Sequence, residues 1–108
     1  MKYLKLFEDM TKLQYNKQCD GEYIEIVAPD SHVVADFEYF GNGVFIGTDY
    51  TDNYTKNYNV IDIGHQYDLS GEKTAKQVNN LIVELKEQYF EMNIVGYDTF
   101  KKKFGEFL

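Results

Sequence analysis

Arginine and tryptophan are missing from this chain of 108 residues, proline and cysteine occur once each, and histidine occurs twice. With Cys19 standing alone, no internal disulfide and no cysteine-built metal cage can form, as in a reducing compartment. His32 and His65 are far apart in sequence and neither belongs to a ligand pair of recognised spacing, so no metal and no cofactor are expected. The stretch Asp49-Tyr50-Thr51-Asp52-Asn53 begins like a calcium loop, but Tyr54 stands where that loop needs Gly and Val60 where it needs Glu. Ser31 and Ser70 are the only serines, and neither lies in a nucleophile elbow. Gly41-Asn42-Gly43-Val44 turns between strands instead of opening a helix, so there is no phosphate loop. No apolar run approaches the roughly 18 residues that cross a bilayer. Met1-Lys2-Tyr3-Leu4-Lys5-Leu6-Phe7 meets Glu8 and Asp9 before a signal-type stretch develops, so a soluble, cytoplasmic protein without a membrane segment is expected.

What is present is ordinary globular composition, 44% hydrophobic and 17% aromatic, well outside the range of disordered chains. The length predicts one domain, residues 1–108. Tyr3, Leu6, Phe7, Met10 and Leu13 repeat at helical spacing, which predicts an amphipathic helix ending near Asn16. Period-2 patterning then takes over. Glu22 to Ala28, His32 to Phe40, Val44 to Asp49 and Tyr58 to Ile63 read as four strands. Pro29-Asp30-Ser31 marks the first turn, and Asn42-Gly43 a two-residue hairpin. Ser70 is placed to cap a long helix whose face is Val78, Leu81, Ile82, Leu85, Tyr89 and Met92. Asp98 is placed to cap a short last helix bearing Phe100, Phe104 and Phe107. The fold class is therefore α+β: an N-terminal helix, a four-stranded antiparallel meander, a long C-terminal helix and a short terminal one, with the helices on one face of the sheet.

The charge is distributed unevenly. Residues 1–17 carry a net +2 and residues 73–108 a net +1, whereas residues 18–72 set eleven acids against Lys56 alone, a net −10. If helices cover one face of the sheet, these acids belong on the other face and in the loops, because an unpaired buried carboxylate is costly. A two-residue hairpin turn places Asp36 opposite Asp49 and sends both, with Glu38, to the open side, where like charges across a ladder oppose folding. Ten charges match roughly 17 Å of duplex DNA, and a strand of five or six residues has a similar length. A rigid acidic sheet carrying tyrosines can thus replace phosphates in the grip of a basic protein.

In size, layout, an all-lysine basic composition of the kind an AT-rich genome favours, and an acidic tyrosine-flecked sheet, the chain resembles the small phage and mobile-element inhibitors that mimic DNA, the anti-CRISPR and anti-restriction proteins. The resemblance implies a non-enzymatic inhibitor that binds a basic nucleic-acid-binding protein, a CRISPR effector nuclease foremost, and no nucleic acid directly. In such a protein Glu22, Glu25, Asp36, Glu38, Asp49, Asp52 and Asp62 would stand in for phosphates, with Tyr50, Tyr54 and Tyr58 as anchors. The alternative is an assembly module in which the Phe100, Phe104 and Phe107 stripe packs against another copy as a homodimer and the acids are a solvated face. A small hydrolase using Asp36 and Asp49 as its acid and base is a third reading.

Overall fold

The computed structural model describes residues 18–108, and the helix expected to end near Asn16 lies outside the described residues. β1 (Tyr23–Val27), β2 (Val33–Tyr39) and β3 (Val44–Asp49) form an antiparallel meander. β4 (Gly71–Thr74) and β5 (Asn93–Val95) extend it at opposite edges, giving five strands in the order β4-β3-β2-β1-β5 instead of the expected four. In β1, Ile24 and Ile26 are buried while Tyr23, Glu25 and Val27 turn outward, the alternation of a strand with one covered face. A register shift between Ile26 and Val27 leaves Val34 without a residue opposite it on β1, and both Val34 and Ala35 are buried there.

The hairpin register differs from expectation by one residue. Gly41, Asn42 and Gly43 all have positive φ, and the loop closes through Val44 N–H to Gly41 O (3.0 Å) and Phe40 N–H to Val44 O (2.9 Å). Three residues thus turn the chain where two were expected, so Tyr39 faces Phe45, Phe37 faces Gly47, Asp36 faces Thr48 and Ala35 faces Asp49. This slip puts Phe45, Phe37 and Tyr39 on one face and turns Asp49 away from Asp36. Gly47 completes the arrangement, because a Cβ there would come 2.9 Å from the Phe37 ring and collide with the Leu69 carbonyl.

The segment expected as the fourth strand is a helix, α1 (Tyr58–Gln66). The Asn57 side chain caps it by accepting from Val60 N–H at 3.2 Å, and Val60 and Ile63, three residues apart, bury on one side. The next helix, α2 (Ala75–Gln88), starts later than Ser70 because residues 71–74 pair with β3 first. Thr74 caps it in a reciprocal box: Gln77 N–H donates to Thr74 Oγ1 (3.1 Å) and Thr74 N–H donates to Gln77 Oε1 (2.8 Å). Its 14 residues span ~21 Å, close to the ~19 Å across five strands, so α2 carries the chain from the β4 edge to the β5 edge. Lys86 Nζ closes its far end by donating to the carbonyls of Phe90 (3.0 Å) and Met92 (2.6 Å).

One core holds these parts together. Ile24, Ile26, Phe37 and Phe45 of the sheet meet Val60 and Ile63 of α1, Val78, Ile82 and Leu85 of α2, and Phe100 and Phe104 of α3 (Tyr97–Phe104). The Phe45 ring lies 5.0 Å from Phe104 and 5.5 Å from Phe100, both edge-on. The stripe read as a self-association surface is therefore mostly interior: Phe100 and Phe104 are buried, and only Phe107 is exposed, at 59%. No helix of the described residues is long and apolar enough to cross a membrane.

Candidate functional site

The face of the sheet opposite the core carries the chemistry. Register places Tyr23, Glu38, Ile46 and Glu72 in one cross-strand row and Glu25, Asp36 and Thr48 in the next. Four carboxylates, Glu25, Asp36, Glu38 and Glu72, thus share this face. Beside it, the turn after β1 and the loop 50–57 after β3 rise to form an open-sided cavity of about 970 Å3, with Tyr23, Glu25, His32, Asp36, Tyr50 and Tyr54 in its wall.

Asp36 is the centre of this arrangement, at 8% exposure. Its Oδ2 accepts from the hydroxyls of Tyr23 and Tyr50, each at 2.9 Å. The Tyr23 hydroxyl also lies 2.9 Å from Glu25 Oε2. A phenol has one proton to donate, so with both carboxyls ionised one of these two contacts would lack a hydrogen. The Tyr23 proton thus serves one of the two carboxyls at a time. Burial pushes the Asp36 carboxyl above its ordinary range against the pull of the Tyr50 and Tyr23 hydrogen bonds, and the charges of Glu25 and Glu38 push it the same way. Burial first, then the Asp36 carboxylate, raises the Tyr50 phenol to about 12, and the same two causes raise Tyr23 further. Both phenols remain donors throughout the physiological range.

The loops are fixed by their own side chains. Tyr54 donates to the Val33 carbonyl (3.0 Å), and its ring meets His32 edge-on at 5.9 Å. His32 Nδ1 is 3.0 Å from Asp30 Oδ2, a contact that holds the Asp30 carboxyl below its ordinary range. Asp49 Oδ1 accepts from Thr51 N–H (2.7 Å) and Thr51 Oγ1 (2.6 Å), an Asx turn that leads into the short 3-10 turn Thr51–Asn53.

The residues singled out from the sequence therefore separate. Glu25, Asp36, Glu38, Tyr50 and Tyr54 come together on the open face and its cavity. Asp49 belongs to the other side of the sheet, so the facing Asp36 and Asp49 carboxylates needed for an acid and base pair do not occur. Glu22 reaches Lys103 of α3 at 3.7 Å, Asp52 is exposed in the 3-10 turn, and Tyr58 and Asp62 are exposed on α1. The ten-charge match to a length of duplex thus does not apply to one continuous surface. Two members of the open face were not singled out. Tyr23 shares its side with Glu25 by simple alternation, whereas Glu72 became visible only with β4.

Cys19, the one thiol, and His32 line different cavities, so the two do not form a nucleophile and base pair. Burial, then the Glu25 carboxylate, pushes the Cys19 thiol up to about 11, the opposite of an activated nucleophile. No protein-family model matches the chain, and neither do the curated proteins or the solved structures compared with it.

Proposed function

We propose that this protein is a non-enzymatic inhibitor that captures a basic nucleic-acid-processing protein through its open sheet face, in competition with DNA. The observation that carries this reading is the concentration of Glu25, Asp36, Glu38 and Glu72 in two neighbouring cross-strand rows. Within it Glu25 and Asp36 oppose one another directly, a like-charge pairing that works against the ladder. A cationic partner converts that repulsion into attraction and is drawn in rapidly by the same field. The tyrosines at the cavity add rigid contact area of the kind that concentrates binding energy in interfaces. Among basic partners a CRISPR effector nuclease is the preferred target, with restriction enzymes next, and the protein makes no direct contact with nucleic acid.

Competition tests the reading. The purified protein is expected to displace duplex DNA from such a nuclease, with an affinity that falls at least about tenfold between about 50 and about 200 mM salt. Changing Glu25, Glu38 and Glu72 together to Gln should abolish displacement while the fold persists. Salt-independent binding, or unchanged inhibition by the triple variant, would reject it.

A further inference from the structure

We propose, resting on the reading of the open face as the partner surface, that the cavity beside it receives one arginine side chain of the partner, with the guanidinium held by Asp36 and Glu25 between the rings of Tyr50 and Tyr54. The first observation is the incomplete coordination of Asp36. Both tyrosine hydroxyls donate to Oδ2, and among the described residues no donor reaches Oδ1. Yet no fully buried side-chain oxygen or nitrogen among the described residues lacks a partner, so Oδ1 is not sealed off. Asp36 lines the cavity at only 8% exposure, and Oδ1 is its one carboxyl oxygen left without a described donor. A carboxylate so placed gains strongly from a donor that arrives with its ligand.

The second observation is the geometry of the acceptors. Glu25 and Asp36 are direct partners on adjacent strands, which puts their carboxylates roughly 5 Å apart at the backbone. Two acceptors side by side suit a planar fork of N–H groups better than a single ammonium point charge. The third is the wall. Tyr50 and Tyr54 present aromatic rings in the same cavity, and a guanidinium stacks on such faces while its donors remain free. Lys56, the loop's own cation, also lines the cavity, but among the described residues it forms no ion pair with Asp36 or Glu25.

The test is an NMR titration of the full chain, labelled with 15N, using Nα-acetyl-arginine methylamide and, in parallel, Nα-acetyl-lysine methylamide and hexalysine. The blocked arginine should give saturable shifts confined to the amides around Asp36, Tyr50 and Tyr54, with affinity at least about fivefold above the blocked lysine. Asp36→Asn should weaken it about tenfold with the remaining spectrum preserved; if that variant loses its dispersed spectrum, Glu25→Gln provides the same comparison. Equal responses to the two blocked amino acids, or non-saturating shifts spread over Glu38 and Glu72, would overturn the arginine receptor. Hexalysine separates the two levels: binding across the Glu38 and Glu72 row without arginine saturation leaves the surface reading standing and removes the receptor. Arginine saturation with no hexalysine binding removes the broad surface and keeps the receptor.

Discussion

Glu25 and Asp36 stand directly opposite one another in the β1–β2 ladder, and the single hydroxyl of Tyr23 lies 2.9 Å from an oxygen of each. Two acids on adjacent strands share one short bridge, with Asp36 the more deeply buried of them. The pair sits in the middle of the sheet, where both flanking strands hold the backbone in place. Protonation of Asp36 is therefore coupled to folding and to whatever cation approaches the open face.

The first consequence concerns pH. Burial raises the folded-state pKa of Asp36 above its ordinary value of 3.8. The unfolded chain therefore releases this proton first, and the stabilisation from a raised carboxyl is complete below 3.8 and lost as pH rises through the folded value. Asp36→Asn keeps an oxygen for both tyrosines and removes the titration. The variant should equal the native chain near pH 3.5 and exceed it at pH 7 by a few tenths to about 1 kcal/mol, the scale of a relieved cross-strand repulsion. Urea unfolding of both chains at several pH values checks this; a difference that does not grow with pH would refute it.

Tyr50→Phe removes one of the two donors to Asp36 Oδ2 and keeps the ring. A buried carboxylate that loses a hydrogen bond costs about 1–3 kcal/mol, and the loss should be smaller in acid, where the carboxyl is neutral. The expected result is a larger drop in urea midpoint at pH 7 than at pH 4.

The capping box gives a test of where α2 begins. Thr74→Ala removes the side-chain acceptor for Gln77 N–H and should cost about 0.5–2 kcal/mol, with Thr74→Ser restoring most of it. Ser70 precedes β4 and caps no helix, so Ser70→Ala should change stability by less than about 0.5 kcal/mol. Comparable losses at the two positions would contradict this start.

These positions also show what the chain reveals before its structure is known. Tyr23-Ile24-Glu25-Ile26-Val27 and the run around Phe37 alternate cleanly, so the faces of Glu25, Asp36 and Glu38 follow from period alone. The register of β3 did not follow, because Asn42-Gly43 is the favoured pair for a two-residue turn while this loop uses Gly41 as well. That one residue moved Asp49 to the other side of the sheet. Val60-Ile61-Asp62-Ile63 has the β-branched composition of a strand, and only the Asn57 cap and the spacing of Val60 to Ile63 mark it as α1. β4, Gly71-Glu72-Lys73-Thr74, contains no apolar residue at all: it is an edge strand held by backbone pairing, invisible to any hydrophobic pattern. The cavity depends on loop 50–57 lying beside β1 and β2, a tertiary relationship that no local period encodes.

Cys19 closes the set with a chemical test. Its thiol is pushed from 9.0 to about 11, first by burial and then by the Glu25 carboxylate. Only the thiolate attacks an alkylating reagent, and a rise of this size lowers its fraction at pH 8 by about a hundredfold. Iodoacetamide should therefore modify Cys19 in the folded chain one to two orders of magnitude more slowly than in urea, with a rate still climbing above pH 9. Glu25→Gln removes the nearest charge and should speed the folded-state reaction without altering the rate in urea. Rapid labelling of the native chain at neutral pH, or no response to Glu25→Gln, would show that the acidic cluster does not reach the thiol.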